Sequence, residues 1–112
     1  MDDVVSTLTV ERRADELRVV LVGDIDLRVR DEQGPRLWSA LAEPGLARVV
    51  VDAGRVRFAD SSGMSVLVRL VRDATEAGLG VEVLAWSDAL CDALAVTGID
   101  TWMREHGVRV PG

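Results

Sequence analysis

Asp60, Ser61 and Ser62 are three consecutive polar residues that stand directly before Gly63 and a run with helical periodicity. Oxygens of Asp and Ser side chains pair with the free amides of a first helical turn, so one of these residues is expected to act as the N-cap. One cap does not account for three such residues. With no side chain at Gly63 to shield them, a serine hydroxyl is expected to remain accessible to a large partner.

The stretch Ala59–Gly63 also resembles the nucleophile elbow of hydrolases, with alanine in place of the first glycine. In such an elbow the serine follows its strand directly, whereas the strand predicted here ends at Asp52, with eight residues between Asp52 and Ser61. The single histidine, His106, is the only candidate base, and it lies on a polar C-terminal stretch. A chain of 112 residues is also too short for the hydrolase fold. We therefore interpret Ser61 as a residue that is acted upon, and predict no enzymatic activity.

The composition argues against several other kinds of site. Cys91 and His106 are each alone, so a metal site would need carboxylates only, and no EF-hand spacing is present. No metal and no cofactor are predicted. All 13 basic residues are arginine, which excludes mechanisms that need a lysine. A net charge of −6 without a basic stripe makes direct nucleic-acid binding a poor hypothesis.

Length and hydropathy predict one domain over residues 1–112 with a single core. No apolar run approaches the ~20 residues that span a bilayer. The acidic start at Met1–Asp3 does not look like a secretory signal, and a lone cysteine is consistent with a reducing compartment. The sequence therefore predicts a cytoplasmic protein without membrane association.

Apolar patterning predicts four strands, which are Thr7–Glu11, Leu17–Val22, Ala47–Asp52 and Val81–Leu84. The first alternates between apolar and polar residues. The second is nearly continuous in β-branched residues, which predicts a strand covered on both faces and closed by Gly23. Residues Ala53–Arg57 are interpreted as a turn around Gly54.

Helical periodicity predicts three helices, which are Leu27–Ala42, Ser62–Ala77 and Asp88–Val96. The first contains Pro35, so it is predicted to begin at Pro35 or near Asp31. The segment Asp24–Leu27 before it is interpreted as a strand exit with an Asx-type cap. Ile99–Val110 is either a short helical turn or a strand. Together these elements predict an α/β fold, with a mixed four- to five-stranded sheet and three to four helices mainly on one face.

Three segments resemble motifs of STAS domains. Leu21–Asp26 resembles their Leu-x-Gly-Glu-Leu-Asp segment, and Phe58–Met64 resembles their Asp-Ser-Ser-Gly-Leu phosphorylation motif. Leu94–Ile99 is similar to the Leu-x-x-x-Gly-Leu run near the family's end. The order and spacing match over essentially the whole chain, and the best resemblance is to the anti-sigma factor antagonists of bacteria.

This resemblance implies a partner-switching module. The unphosphorylated antagonist is expected to bind an anti-sigma factor that is also a serine/threonine kinase, which releases the sigma factor. The kinase is expected to phosphorylate Ser61, and a PP2C-type phosphatase to reverse the reaction. A monomer or weak dimer is expected. The alternatives are a STAS accessory subunit of a lipid-transport ATPase or a stress-signalling scaffold, and, less favoured for the reasons given above, a serine hydrolase. The residues expected to contact the partner are Asp24, Asp26, Asp60, Ser61, Ser62, Gly63, Met64, Ser65, Arg69 and Arg72.

Overall fold

The computed structural model describes residues 6–111 and contains, within that range, four strands and four helices. They are β1 (Thr7–Arg13), β2 (Glu16–Ile25), α1 (Leu27–Leu41), β3 (Arg48–Ala59), α2 (Ser61–Glu76), β4 (Gly80–Trp86), α3 (Asp88–Thr97) and α4 (Ile99–Glu105). The strands form one sheet in the order β1-β2-β3-β4. β1 is antiparallel to β2, and β2, β3 and β4 are parallel. The predicted mixed α/β fold is confirmed.

One face of the sheet carries the core. Along β2, Leu17, Val19 and Leu21 are fully buried, whereas Arg18 is exposed and Val20 is only partly buried. This alternation shows that the helices cover one face of β2, because successive side chains of a strand point to opposite faces. The prediction that β2 is covered on both faces was therefore wrong. Apolar valines on its open face made the run look continuous.

Two strands are longer than predicted. Gly23 does not end β2; it adopts a positive φ of 82° at an irregularity in the pairing with β3, and the strand continues to Ile25. The residues interpreted as a turn, Ala53–Arg57, belong to β3, which runs on to Ala59. Pairing of this segment with β2 outweighs the local turn preference of Gly54.

Helix α1 begins at Leu27, so both predicted starting points were wrong and Pro35 lies inside the helix. The helix starts here because Asp26 is its N-cap: the backbone amide of Val29 donates a hydrogen bond to Oδ1 of Asp26 at 3.1 Å. This confirms the predicted Asx-type cap. Proline at position 35 removes the helical hydrogen bond to the carbonyl of Asp31.

The remaining helices agree closely with the sequence pattern. α2 differs from the prediction by one residue at each end, and α3 extends one residue further, to Thr97. Of the predicted apolar face of α2, Met64, Leu67, Val71 and Ala74 are buried. Residues 99–105 form helix α4, which decides between the two alternatives left open for this segment.

The sheet brings two helix starts together. Ile25 and Ala59 are register partners at the ends of the parallel strands β2 and β3. The next residues, Asp26 and Asp60, each cap the helix that follows. Two capped helix N-termini therefore lie side by side at the carboxyl edge of the sheet, with Ser61 directly after one cap.

Candidate functional site

Ser61 is the first residue of α2, and its side chain is exposed. The cap belongs to Asp60, whose Oδ1 accepts a hydrogen bond from the amide of Gly63 at 2.9 Å. The Asp60 carbonyl accepts from the amide of Met64 at 2.8 Å. Within residues 6–111 the hydroxyl of Ser61 takes part in no hydrogen bond. The capping role is thus filled by Asp60, and the Ser61 side chain is left exposed.

Gly63 is buried where α2 passes over the end of β2. A Cβ atom at this position would overlap the carbonyl oxygen of Ile25 and lie 2.8 Å from its carbonyl carbon. The sequence suggested that this glycine leaves nearby hydroxyls unshielded. The structure shows a different role, since glycine is what allows the first turn of α2 to approach the backbone of β2.

Asp24 is paired within the molecule. Arg57 Nε donates to Asp24 Oδ1 at 2.9 Å, and Arg57 Nη2 donates to Asp24 Oδ2 at 2.8 Å. The guanidinium therefore binds the carboxylate in a bidentate manner. These hydrogen bonds lower the pKa of Asp24 below its ordinary value of 3.8. The pair joins the ends of β2 and β3 immediately before the two helix caps.

We expect Asp24→Asn to reduce the dependence of stability on pH in acid. Because the folded-state pKa of Asp24 is lowered, the ion pair stabilises the fold above the unfolded-state pKa of about 4 and is lost as pH falls through the folded-state value. Urea unfolding midpoints of wild type and variant should differ at pH 7 and converge towards pH 2. Glu76→Gln, at an exposed position in the last turn of α2 with no ion pair within residues 6–111, controls for loss of one carboxylate. A difference that stays constant down to pH 2 would contradict the pairing.

A groove of about 780 Å³ begins at Ser61 and runs between α2 and α3. Six of the ten residues predicted to contact a partner line it, and they are Asp60, Ser61, Met64, Ser65, Arg69 and Arg72. The apolar side chains of Val68, Ala93, Val96 and Ile99 complete much of its surface. Phe58, at the end of β3, also lines it with 54% of its surface exposed.

The other four predicted residues lie outside this groove. The carboxylate of Asp24 binds Arg57, and that of Asp26 caps α1. Gly63 packs on β2, and Ser62 is half-buried, with its carbonyl accepting a hydrogen bond from Ser65 Oγ at 2.6 Å. The structure therefore brings six of the ten predicted residues together in one groove and places the other four outside it.

Arg69 on α2 makes two side-chain contacts, one with a tryptophan of α1 and one with an aspartate of its own helix. Its guanidinium carbon lies 4.2 Å from the ring centroid of Trp38 on α1, and its Nε donates to Asp73 Oδ2 at 3.2 Å. A cation over an indole ring is attracted by the ring's negative face. Arg72 also contacts the carboxylate of Asp73, at 3.4 Å. Two arginines thus share one aspartate.

The structure changes one reason for rejecting a serine hydrolase. Because β3 extends to Ala59, Ser61 follows its strand almost directly, so the spacing argument was wrong. A second reason was the lack of a suitable base. His106 is the C-cap of α4, its Nδ1 lies 2.8 Å from the carbonyl oxygen of Trp102, and its ring packs against the Trp102 indole. It is not among the residues that line the groove at Ser61.

Several groove residues were missed from the sequence. Val96 on α3 lines the groove and is 88% exposed. Asp92 on α3 was likewise not predicted to be near Ser61. A signal for Val96 was present, since it is a β-branched apolar residue outside the buried spacing of Leu90 and Leu94.

The described range contains neither a metal-binding cluster nor a membrane-spanning helix. Residues 6–111 contain no group of three or more His, Cys, Asp and Glu side chains arranged to hold a metal ion. In the same part of the chain, every helix is too short or too polar to cross a membrane.

Comparison with family models gives a match to the model described as "Mlab, STAS domain" over residues 8–105. The chain belongs to the STAS domain family. A search of curated proteins found no matching sequence. The family assignment confirms the resemblance of the three sequence motifs.

Solved structures show the same fold. The anti-sigma factor antagonist SpoIIAA in its unphosphorylated form superposes with a TM-score of 0.72 at 15% identity, covering 94% of this STAS domain and 88% of that chain. The phosphorylated form of SpoIIAA, a Bacillus cell fate determinant, gives a TM-score of 0.69 at 15% identity, with 94% and 91% covered. An anti-sigma factor antagonist from Mycobacterium paratuberculosis superposes with a TM-score of 0.63 at 24% identity, covering 89% of this chain and 82% of that chain. At these identities the likeness establishes a SpoIIAA-like fold.

Proposed function

We propose that this STAS domain is an anti-sigma factor antagonist that is switched off by phosphorylation of Ser61. Unphosphorylated, it binds an anti-sigma factor serine kinase and so frees the sigma factor; a PP2C-type phosphatase restores the binding state. The observation that carries the proposal is the position of Ser61, whose exposed hydroxyl lies outside the helix cap at the mouth of an apolar groove. In this role the domain is a bacterial cytoplasmic binding module without catalytic activity or cofactor.

The surroundings of Ser61 explain how a phosphate would switch binding. Phosphorylation adds about −1.5 to −2 charges at neutral pH. These would stand beside the carboxylate of Asp60, with Asp26 at the same edge of the sheet, in a chain of net charge −6. The added charge repels an acidic partner surface. The N-terminus of α2 partly compensates the phosphate within the domain, so binding is affected and the fold is retained.

Phosphopeptide mapping tests the proposal. The purified domain is incubated with ATP and a candidate anti-sigma serine kinase, and all incorporated phosphate is expected on Ser61. Ser61→Ala should abolish incorporation. Ser62→Ala and Ser65→Ala are matched controls that retain it, because one neighbour is half-buried and the other is one turn further along α2. Incorporation that survives Ser61→Ala would refute the assignment of the site.

A second candidate is a STAS accessory subunit of a lipid-transport ATPase. The matching family model carries the description "Mlab, STAS domain", which does not mention a sigma factor. This description is therefore compatible with the second candidate. The two functions differ in a direct binding test. Formation of a stable complex with an anti-sigma kinase, measured by calorimetry, supports the antagonist. Failure to bind any such kinase, together with co-purification with a transport ATPase, supports the accessory subunit.

A further inference from the structure

The outer edge of β4 is unpaired. This strand lies at the end of the sheet, where its only neighbour is β3. The amide of Gly80 donates to the carbonyl of Ala47 on the β3 side, and successive residues of a strand direct their backbone groups to opposite edges. The amides and carbonyls of Val81 and Val83 therefore point away from β3. Among residues 6–111, no loop or helix forms a backbone hydrogen bond with either valine.

The opposite edge of the sheet, on β1, is partly closed by a side chain. Oε1 of Gln33 on α1 accepts a hydrogen bond from the Leu8 amide at 2.6 Å, and its Nε2 donates to the Ser6 carbonyl at 3.4 Å. Gln33 thus bonds to the backbone of β1 as a neighbouring strand would. No side chain within residues 6–111 does this for Val81 or Val83. Unpaired strand edges bind other chains unless they are covered, so the edge of β4 is available for binding.

A cleft of about 610 Å³ runs along the open edge of β4. It is lined by four consecutive residues of the strand, Val81–Leu84. Because successive side chains of a strand point to opposite faces, a cleft that touches four residues in a row follows the edge of the strand. Its far wall is formed by Gly107 and Arg109. Leu84, which is 55% exposed, adds apolar surface to the cleft.

The far wall of the cleft is fixed to the rest of the domain. Val108, between the two wall residues, is buried with 2% of its surface exposed, and its amide donates to the Met103 carbonyl at 3.0 Å. Arg104 Nη2 on α4 donates to the carbonyls of Val110 and Pro111, at 3.2 and 3.1 Å. The cleft therefore has two defined walls, and one of them is an unpaired strand edge.

An extended chain is the occupant that matches this edge. The outward groups of Val81 and Val83 recur at every second residue, which is the spacing at which a strand presents its own amides and carbonyls. The interior of a helix has no free backbone groups to pair with them. A second copy of this chain fits poorly, because its β4 is backed by β3 and the two strands would meet the wall at Gly107 and Arg109. A single extended segment has no strand behind it.

We infer that the open edge of β4 binds an extended segment of a partner protein, a tail or a linker, which joins the sheet as a fifth strand. Four residues of such a segment, about 13 Å of strand, cover Val81–Leu84. Glu82 and Arg109 bring one charge of each sign to the cleft, so the segment is uncharged and rich in β-branched residues. The cleft shares no lining residue with the groove at Ser61, so the inference does not depend on the proposed function.

A designed peptide tests the inference. Six residues alternate between threonine and valine, and one glutamate and one arginine flank them for solubility without net charge. Amide hydrogen exchange of the domain, followed by NMR, reports on contact with β4. We expect the amides of Val81 and Val83 to exchange rapidly in the free domain and to be protected at least about tenfold at saturating peptide. A matched peptide, N-methylated at its four central residues, cannot donate from either edge and should bind at least about tenfold more weakly.

A proline variant tests the edge from the side of the domain. Val83→Pro removes one outward amide and no bond to β3, and proline is tolerated on an edge strand when its nitrogen faces outward. We expect a melting temperature within a few degrees of wild type and peptide affinity reduced at least about tenfold. Val10→Pro, at an outward amide of β1, should leave the affinity unchanged. If Val83→Pro does not fold, the N-methylated peptide still decides the question.

Three results would overturn the inference, and they are absence of binding, equal affinity of the two peptides, and chemical-shift changes confined to the groove at Ser61. Protection of Val81 and Val83 that rises with protein concentration, together with dimerisation in analytical ultracentrifugation, would also overturn it, because the occupant would be a second copy. A domain that binds the peptide at β4 but is not phosphorylated on Ser61 would refute the proposed function and leave this inference intact.

Discussion

Gly63→Ala is expected to destabilise the domain by about 3 kcal/mol, because the new methyl group has no space. It would overlap the carbonyl oxygen of Ile25 and lie 3.2 Å from the Cβ of Ile25. These obstacles are backbone and a buried core residue, so neither can rotate aside. The melting temperature should fall by roughly 10 °C or more for a domain of this size. Thermal unfolding followed by circular dichroism measures the loss.

A loss of stability at this position would be specific to the close contact, because Gly→Ala substitutions in helices usually increase stability. In an exposed helix interior, replacing glycine with alanine stabilises by about 1 kcal/mol, since alanine has the better helix propensity. Gly34→Ala is the matched control, because Gly34 is also a buried helical glycine. There the added methyl would approach only the indole nitrogen of Trp38, at 3.3 Å, and this side chain can shift. We expect a change below about 1 kcal/mol for Gly34→Ala. A Gly63→Ala variant as stable as wild type would show that α2 does not approach β2 this closely.

The close approach at Gly63 connects the fold to the site. With the first turn of α2 seated on the end of β2, the cap residue Asp60 faces the amide of Gly63 and the side chain of Ser61 is left outside. A displaced first turn would move the hydroxyl relative to the groove. The glycine in the Asp-Ser-Ser-Gly segment is thus a packing requirement, and the accessibility of the serine follows from it.

Features encoded locally were predictable from the sequence. The buried spacing of α2, a cap among Asp60–Ser62 and a cap within Asp24–Leu27 depend on residues within one or two turns, and the structure agrees with these three predictions. The predicted ends of β2 and β3 were wrong because they depend on contacts between segments that are distant in the sequence. Gly23 and Gly54 favour turns locally, but pairing between the two strands continues past both glycines. That pairing energy comes from residues more than 30 positions apart.

The groove was predictable only in part. The α2 side could be listed from the motif and the helical period. The opposite side comes from α3 and the end of β3, which meet α2 only through the order of the strands. Arg57 and Asp24 are 33 residues apart, and Arg69 reaches Trp38 on another helix. The sequence pattern of one strand or helix does not predict these two contacts. They depend on how separate elements pack together, which a single segment does not encode.

Ser61→Asp is expected to keep the fold and to lose partner binding. Ser61 is exposed at the first position of α2, and a carboxylate near a helix N-terminus is favourable by about 0.3–1 kcal/mol. Repulsion from Asp60 opposes this gain, so the melting temperature should change by only a few degrees. At the mouth of the groove the same charge faces the partner. We expect the dissociation constant for the anti-sigma kinase, measured by isothermal titration calorimetry, to rise by at least about tenfold, or 1.4 kcal/mol.

Two neutral variants separate charge from shape. Ser61→Asn matches the size of aspartate and Ser61→Ala removes the hydroxyl, so both should bind the kinase far better than Ser61→Asp does. Because charges at an exposed site are screened by salt, the gap between the Asp and Asn variants should narrow as ionic strength rises from about 0.05 M to 0.5 M. Asn and Asp variants that lose affinity equally would mean that steric fit at Ser61 controls binding. A Ser61→Asp protein that is grossly unfolded would contradict the exposed position of Ser61 outside the cap.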